Sequence, residues 1–520
     1  MTSTAAVVTA TRCGLASALA VLCACSHHAV PSPPLASDAS SPAAATRGGA
    51  SRGSRPPADV HLPAHVAALA WEVNVREQPN LQSPMLGYLR AGAVVEASSE
   101  PVSKDGCSGG WYAVAPSGFV CVETNVATTD TGHALPRALS RRPDLTQHLP
   151  YMYGLVRQHS PIYSRLPTIA EAAHAEYGLA KHLEHWLRAS DGASFRTDYW
   201  VRGKGPPTPD PRDLWDKRAT QEIPPWLEGG AMPPGNLSGR IVGRRLVVAQ
   251  TQEHQGFAFI DTAVSDGRRY AITTDLLVVP VDRLRPVEGS SYQGVRIPQD
   301  IDVPFALVRR EGAFSYELRG DAMVRRGRVP RRAAVKLTGK EQVVDTRRYF
   351  ETTDGAWLAE SHAARIDRYK RITQWAEDGE HWVDVSIANQ TLVAYDGTKP
   401  VYATLVSTGE AGLDDPETTK STVIGEFRIF AKHITTTMSS EVVGEEFELK
   451  DIPYVQYFQE GYALHAAYWH DDFGIPRSHG CINLAPEDAR WLFSWTDPQV
   501  PDGWHGARAA KDGSVVNVHP

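Results

Sequence analysis

A chain of 520 residues is too long for one compact core and implies several domains. A formal net charge of −7 at pH 7, with Lys and Arg scattered, excludes the basic footprint of a nucleic-acid-binding protein. Hydrophobic content of 42%, with 13 Trp and 18 Tyr, fits a globular, mainly β chain.

Residues 1–25 read as a secretory signal. Arg12 supplies a thin positive start and Cys13–Leu22 a short apolar run, too short to span a membrane as a mature helix. The following Leu22-Cys23-Ala24-Cys25 resembles a bacterial lipobox that ends in an acylated Cys25. The alternative is an ordinary signal peptide with incidental cysteines. Either form implies export to the cell envelope or periplasm, and the lipidated one implies a membrane anchor. Residues 26–65 are rich in Pro, Ser, Ala and Gly without hydrophobic periodicity, which predicts a disordered tether. As a flexible coil it would reach roughly 35 Å.

Cys13, Cys23 and Cys25 belong to this leader. Cys107 and Cys121 form a candidate disulfide, because an exported protein matures under oxidising conditions. Cys481 is then left over near the C-terminus, where an unpaired cysteine needs a reason. No CxxC pair suggests a zinc or thioredoxin-like site, so no metal is expected.

Between Val66 and Asp367 the sequence repeats itself. Arg268-Arg269-Tyr270-Ala271-Ile272-Thr273-Thr274-Asp275 recurs as Arg347-Arg348-Tyr349-Phe350-Glu351-Thr352-Thr353-Asp354. A weaker copy lies at Trp111–Gly118, with Tyr112 and Gly118 matching Tyr349 and Gly355. Each copy predicts a hairpin: an aromatic strand, a polar turn, then an apolar strand. Upstream of each sits a short strand ending in Arg, at Asn74–Arg76, Leu155–Arg157 and Leu307–Arg309. Residues 66–127 and 302–370 resemble bacterial SH3-like modules, small five-strand barrels. Residues 150–290 would be the same module split by an insertion. Within it, Thr168 with Glu171 makes a capping box, and Ile169, Ala172, Ala173, Leu179, Leu183, Trp186 and Leu187 recur at helical spacing as a packing face. Gly205–Gly235 is a Pro-rich loop. The basic run Arg325–Arg332 reads as a solvated face.

From His381 the pattern changes to long alternating strands. Trp382–Ile387 and Thr391–Tyr395 flank a turn at Asn389-Gln390, Val401–Thr408 and Gly425–Phe430 continue the sheet, and Val515–Val518 closes it. Pro486–Phe493 predicts a short helix with Trp491 and Leu492 facing the core. Inside this region lies Ser478-His479-Gly480-Cys481-Ile482-Asn483-Leu484. Upstream come Leu464-His465-Ala466-Ala467, then Pro453-Tyr454 and Phe458, and Val423-Ile424-Gly425-Glu426-Phe427. A thiol becomes a useful nucleophile beside a histidine that accepts its proton, and Cys481 with His465 or His479 offers that pair. Backbone N–H groups at Gly480 and Cys481 are candidate donors to a tetrahedral oxyanion.

This ordered set resembles the YkuD-like L,D-transpeptidase catalytic domain over residues 381–520. The resemblance implies a mainly β, multidomain protein in which SH3-like modules precede a β-rich catalytic domain, with a short helix after the nucleophile. It also implies peptidoglycan stem peptides as partners and no cofactor. Cys481 would attack the donor stem and His465 would serve as base, its ring oriented by the carbonyl of Ala466. Many members carry Gly where this chain has Ala466, but any residue supplies that carbonyl. His479 would line the acyl pocket or act as a second base. Ser478, Asn483, Tyr454, Tyr457, Arg477 and Trp469 are the candidate substrate contacts, with core packing the alternative for the tyrosines and a surface ion pair for Arg477. His470 reads as a lone loop histidine without function. The acceptor of the thioester, whether a stem amine, water or a protein lysine, has no signature in the sequence. A non-catalytic wall-binding scaffold is the reading from another class.

Overall fold

The computed structural model describes residues 62–139, 141–188, 227, 245–369, 373–442 and 446–520. The leader with Cys25, residues 26–61 of the expected tether and the Pro-rich stretch except Leu227 lie outside the described residues. Among the described residues the architecture is mainly β, with strands gathered into four sheets and a few short helices.

The three repeats fold alike. Trp111–Ala113 pairs with Phe119–Cys121, Arg268–Thr273 with Val278–Pro280, and Arg347–Thr352 with Trp357–Ala359. Each turn closes with the same backbone bond: Val114 N–H donates to Gly118 O at 2.9 Å, Thr273 N–H to Leu277 O at 2.8 Å, and Thr352 N–H to Ala356 O at 2.8 Å. The Thr hydroxyls of the second and third copies also meet Asp275 and Asp354. The shared Thr-Thr-Asp text is therefore a turn whose polar side chains satisfy its own backbone. In the first copy, Cys107 and Cys121 are joined by a disulfide with a Cα–Cα distance of 5.9 Å.

The insertion opens with a helix, Ile169–Ala175, whose Thr168 and Glu171 form the expected capping box. The helical pattern does not continue as one rod. Glu176 ends the first helix, Gly178 takes φ +71°, and a second helix runs Leu179–Arg188. The expected packing face is broken with it, since Ile169 is 40% exposed while Ala172 and Leu179 are buried. The break delivers Glu176 to a buried ion pair with Arg268 at 2.7 Å, which Arg283 and Tyr163 also join. A buried charge tolerates that depth only when it is paired and hydrogen-bonded.

In the C-terminal region, His381–Ser386 pairs antiparallel with Thr391–Asp396 around Gln390, which takes φ +56°. Lys399–Leu405 follows on one side, and Val515–His519 lies parallel on the other, bordered by Gly425–Arg428. A second sheet carries Ala431–Ser440, Phe447–Gln459, Tyr462–Ala466 and Ile482–Leu484. Apolar residues from both sheets and from the helix Pro486–Trp495 fill the core between them, including Val383, Leu464, Ile482, Leu492 and Val516. Leu492 is buried, and Trp491 stacks on Tyr402 with centroids 4.2 Å apart.

Hydrogen-bonded sheets cross the expected module boundaries. Met85–Arg90 pairs with Gly506–Arg508, and Trp504 enters the core of the first unit beside Val73, Leu89 and Val120. Gly87 permits this contact, because a Cβ there would lie 2.2 Å from Gly506 O. Gln255–Ser265 joins Phe447–Gln459 in parallel, and Val295–Arg296 adds an edge to Lys399–Leu405.

Candidate active site

Cys481 enters the sheet immediately before the short strand Ile482–Leu484. That strand runs parallel to Tyr462–Ala466, with Leu464 opposite Ile482 and His465 opposite Asn483. Neighbouring strands lie about 4.8 Å apart, so this pairing brings the two candidate reacting residues, distant in sequence, to one place. Cys481 is 5% exposed, and its Sγ donates to Gly461 O at 3.7 Å, in the turn that begins the histidine's strand.

His465 is 2% exposed. Its Nδ1 lies 3.1 Å from Ala466 O, an acceptor, which places the proton on Nδ1 and the lone pair on Nε2. Burial pushes its pKa down to about 4, with the Ala466 carbonyl opposing the shift. The ring is therefore neutral at physiological pH, a base ready to take a proton. Trp469 covers it, with ring centroids 5.8 Å apart.

The signature loop is held from within. Ser478 Oγ accepts from Gly480 N–H at 3.1 Å and donates to Cys481 O. Thr422 Oγ1 donates to Gly480 O at 2.7 Å and accepts from Gly409 N–H at 2.9 Å. Gly480 takes φ +130°, and a Cβ would lie 2.9 Å from the Tyr462 ring. Glycine is thus required here by backbone conformation and by close approach.

The structure gives several of the expected site residues partners within the chain. Ser478, expected to touch substrate, spends its hydroxyl on the loop, and the Gly480 N–H expected for the oxyanion is bonded to Ser478. Tyr454 is buried, with its ring against Phe493 and its hydroxyl donating to Gln147 O at 2.5 Å, so it belongs to the core. Tyr457 is likewise buried, its ring 5.6 Å from His433. Arg477 pairs with Asp472. His479 rests against Phe447, centroids 5.4 Å apart.

His470 is not a lone loop residue. It is 4% exposed, its Nδ1 accepts from Asp472 N–H at 3.2 Å, and its Nε2 lies 3.0 Å from the Asn483 amide. Burial holds its pKa well below the imidazole range, so the ring is neutral with its proton on Nε2. Asn483 Nδ2 faces that nitrogen, and of the two amide atoms only the oxygen can accept from an Nε2–H, so the amide orientation and the His470 tautomer are linked. Sequence alone offered no signal for this, because the partners lie on different segments. The same holds for Arg331 and Arg332. Their guanidinium groups donate to Phe473 O and Asp471 O, each at 2.8 Å, and so fasten the loop that carries Trp469 and His470. Only the hairpin part of the basic run, Arg325 to Arg328, is the solvated face expected.

Residues 380–518 match the YkuD family, the L,D-transpeptidase catalytic domain. The C-terminal domain is of the YkuD type. Among solved structures, the catalytic domain of an E. faecium L,D-transpeptidase is 22% identical, aligned over 27% of this chain and 98% of its own, with a TM-score of 0.21. An L,D-transpeptidase from Mycobacterium smegmatis is 18% identical over 34% of this chain and 67% of its own, TM-score 0.22. One from Stackebrandtia nassauensis is 28% identical over 27% and 56%, TM-score 0.20. No curated protein matches the chain. In this YkuD-type domain the nucleophile candidate, the oriented histidine and the glycine-dependent loop all come from the matched residues, whereas Arg331 and Arg332 come from outside them.

Proposed function

We propose that the protein is a cysteine-dependent peptidoglycan L,D-transpeptidase. The observation that carries the reading is His465: a buried, neutral imidazole with Nδ1 fixed on Ala466 O, on the strand parallel to the one that follows Cys481. Cys481 Sγ attacks the carbonyl carbon of the L,D-amide in a tetrapeptide stem while the thiol proton passes to His465 Nε2. The C–N bond then breaks, His465 returns the proton to the leaving D-alanine amine, and a thioester remains. The side-chain amine of a diamino acid on a second stem attacks the thioester, losing its proton to His465 and regenerating the thiol. The reading of residues 1–25 as an export signal supports a cell-envelope location for this chemistry, with a lipid on Cys25 as the proposed anchor.

Imipenem, present in the structure of another L,D-transpeptidase, serves as the acylating probe. Intact mass should show one adduct on the folded chain, and Cys481→Ala should abolish it. His465→Ala should slow acylation by about 10²–10⁴-fold, with a residual rate from thiolate at high pH. His479→Ala should slow it less. A folded His479 variant slower than the His465 variant would move the base to His479. Digested wall from cells with and without the protein should differ in cross-linked stem dimers; a difference only in stem length would make water the acceptor. Membrane-extracted protein should carry diacylglycerol on Cys25, and a mature form beginning elsewhere would remove the anchor.

A further inference from the structure

Tyr468 lies between the histidine strand Tyr462–Ala466 and Trp469, and it is 2% exposed. Its ring meets Trp469 edge to face, with centroids 5.1 Å apart and planes at 87°, and Trp469 in turn packs on His465. The Tyr468 ring also lies 4.5 Å from that of Tyr153, on the strand Met152–Val156 of the second unit. Tyr153 is itself fixed, its hydroxyl donating to Asp451 O at 2.7 Å. Three rings, Tyr153, Tyr468 and Trp469, thus run from the second unit to the imidazole.

The second unit reaches the same tyrosine at another point. Gln255–Ser265 runs parallel to Phe447–Gln459, with Gly256 opposite Leu449, and antiparallel to Met152–Val156, with Gly256 opposite Leu155. A Cβ on Gly256 would lie 2.6 Å from the Tyr468 hydroxyl oxygen, 2.8 Å from Leu449 Cδ2 and 3.1 Å from Leu155 Cδ2. The missing side chain is what lets this strand sit against the tyrosine. The Tyr468 hydroxyl is buried there and has no hydrogen-bond partner among the described residues. Packing rather than a bond therefore holds the ring, and a close-packed interior transmits a displacement to its neighbours. Tyr153, Leu155, Leu449, Tyr468 and Cys481 belong to one apolar cluster.

We propose that Tyr468 is a positioning residue, through which the second unit keeps Trp469 packed over His465 and the imidazole shut off from water. Its consequence for the reaction rests on His465 being the base. Burial is what lowers the His465 pKa to about 4, against the Ala466 carbonyl, and no charged side chain contributes. The neighbouring His470 is neutral, and burial keeps the Tyr468 hydroxyl protonated. Lost cover should therefore appear as a rise toward the ordinary imidazole value of 6.5.

The His465 pKa is read by NMR on the full chain carrying isotope-labelled histidine, its signal identified by its loss in His465→Gln. The unsubstituted chain should titrate near pH 4. Gly256→Ala drives a methyl group into the tyrosine and should raise the value by about one unit or more. Tyr468→Phe removes the obstructing atom and forfeits no hydrogen bond. Alone it should leave the value low, and combined with Gly256→Ala it should bring the value back down. Tyr153→Leu takes away the ring against Tyr468 without touching Gly256 and should also raise the value, which keeps the test open if Gly256→Ala does not fold. Circular dichroism follows folding in each variant. An unchanged pKa in folded Gly256→Ala or Tyr153→Leu, or no recovery on adding Tyr468→Phe, would each overturn the positioning role. Imipenem acylation against pH in the same variants separates this role from the choice of base. Its acid limb should move with the His465 pKa, whereas a pKa that moves while the limb stays would remove His465 as base and keep Tyr468 as its support.

Discussion

At the scale of single residues, the decisive quantity is the protonation state of His465. Its folded pKa of about 4 lies below the ordinary imidazole value of 6.5, and burial is the larger cause. A base works only when unprotonated, so the acid limb of the acylation rate belongs near pH 4. Imipenem acylation should therefore hold nearly level from pH 7 to pH 5 and fall as the pH approaches 4, read by mass against time. A half-loss near 6.5 would mean the histidine is solvated in the working enzyme. The same depression contributes to stability: the neutral form is favoured in the fold, so this contribution is complete above pH 6.5 and is lost as pH falls through 4. Folding has to be followed beside the rate, since both decline in the same direction.

At the scale of elements, the loop from Trp469 to Gly474 is where the upstream chain meets the chemistry. Its outer face is bonded by Arg331 and Arg332, and Arg332 also pairs with the Asp471 carboxylate at 2.5 Å. Its inner face presents Trp469 to His465 and His470 to Asn483. Chain segments outside the matched family region are thus bonded to the loop whose Trp469 packs on His465. Replacing both arginines by alanine should lower acylation by about tenfold, equivalent to about 1.4 kcal/mol in the barrier, with secondary structure by circular dichroism unchanged. An unchanged rate would make these contacts a matter of stability alone.

At the scale of the whole molecule, Asp451 is the junction. It lies on Phe447–Gln459 with φ +51°, pairs with Arg90 of the first unit at 2.5 Å and accepts from Thr274 of the second at 2.5 Å and from Thr435 of its own domain at 2.8 Å. Its backbone carbonyl also accepts from Tyr153 at 2.7 Å. The neighbouring Arg90 keeps its carboxyl below the usual range despite full burial. Asp451→Asn keeps a side chain that tolerates positive φ but leaves Arg90 buried without its counter-charge. Breaking a buried pair from one side costs about 3–5 kcal/mol, so chemical denaturation should show that loss, and the units should unfold in separable steps. A single transition with unchanged midpoint would show that the sheets alone hold the units together.

The sequence by itself determined the elements whose causes are local. The repeated Thr-Thr-Asp text specifies its hairpin turn because the turn's bonds lie within a few residues of each other. The capping box at Thr168 and Glu171 starts its helix for the same reason, and Ser478 to Asn483 marks the nucleophile as one contiguous string. The sequence also offered Cys481 and His465 as a candidate pair, whereas the parallel contact that sets Leu464 opposite Ile482 is supplied only by the fold. What the tertiary structure decided are the bonds between segments far apart in the chain: His470 on Asn483, Arg331 and Arg332 on the loop Trp469–Gly474, and Arg90 on Asp451. None of these has a fixed spacing, because burial and partner choice are set by which sheets dock. A charged residue reads the same in sequence whether it ends in water or in a buried pair.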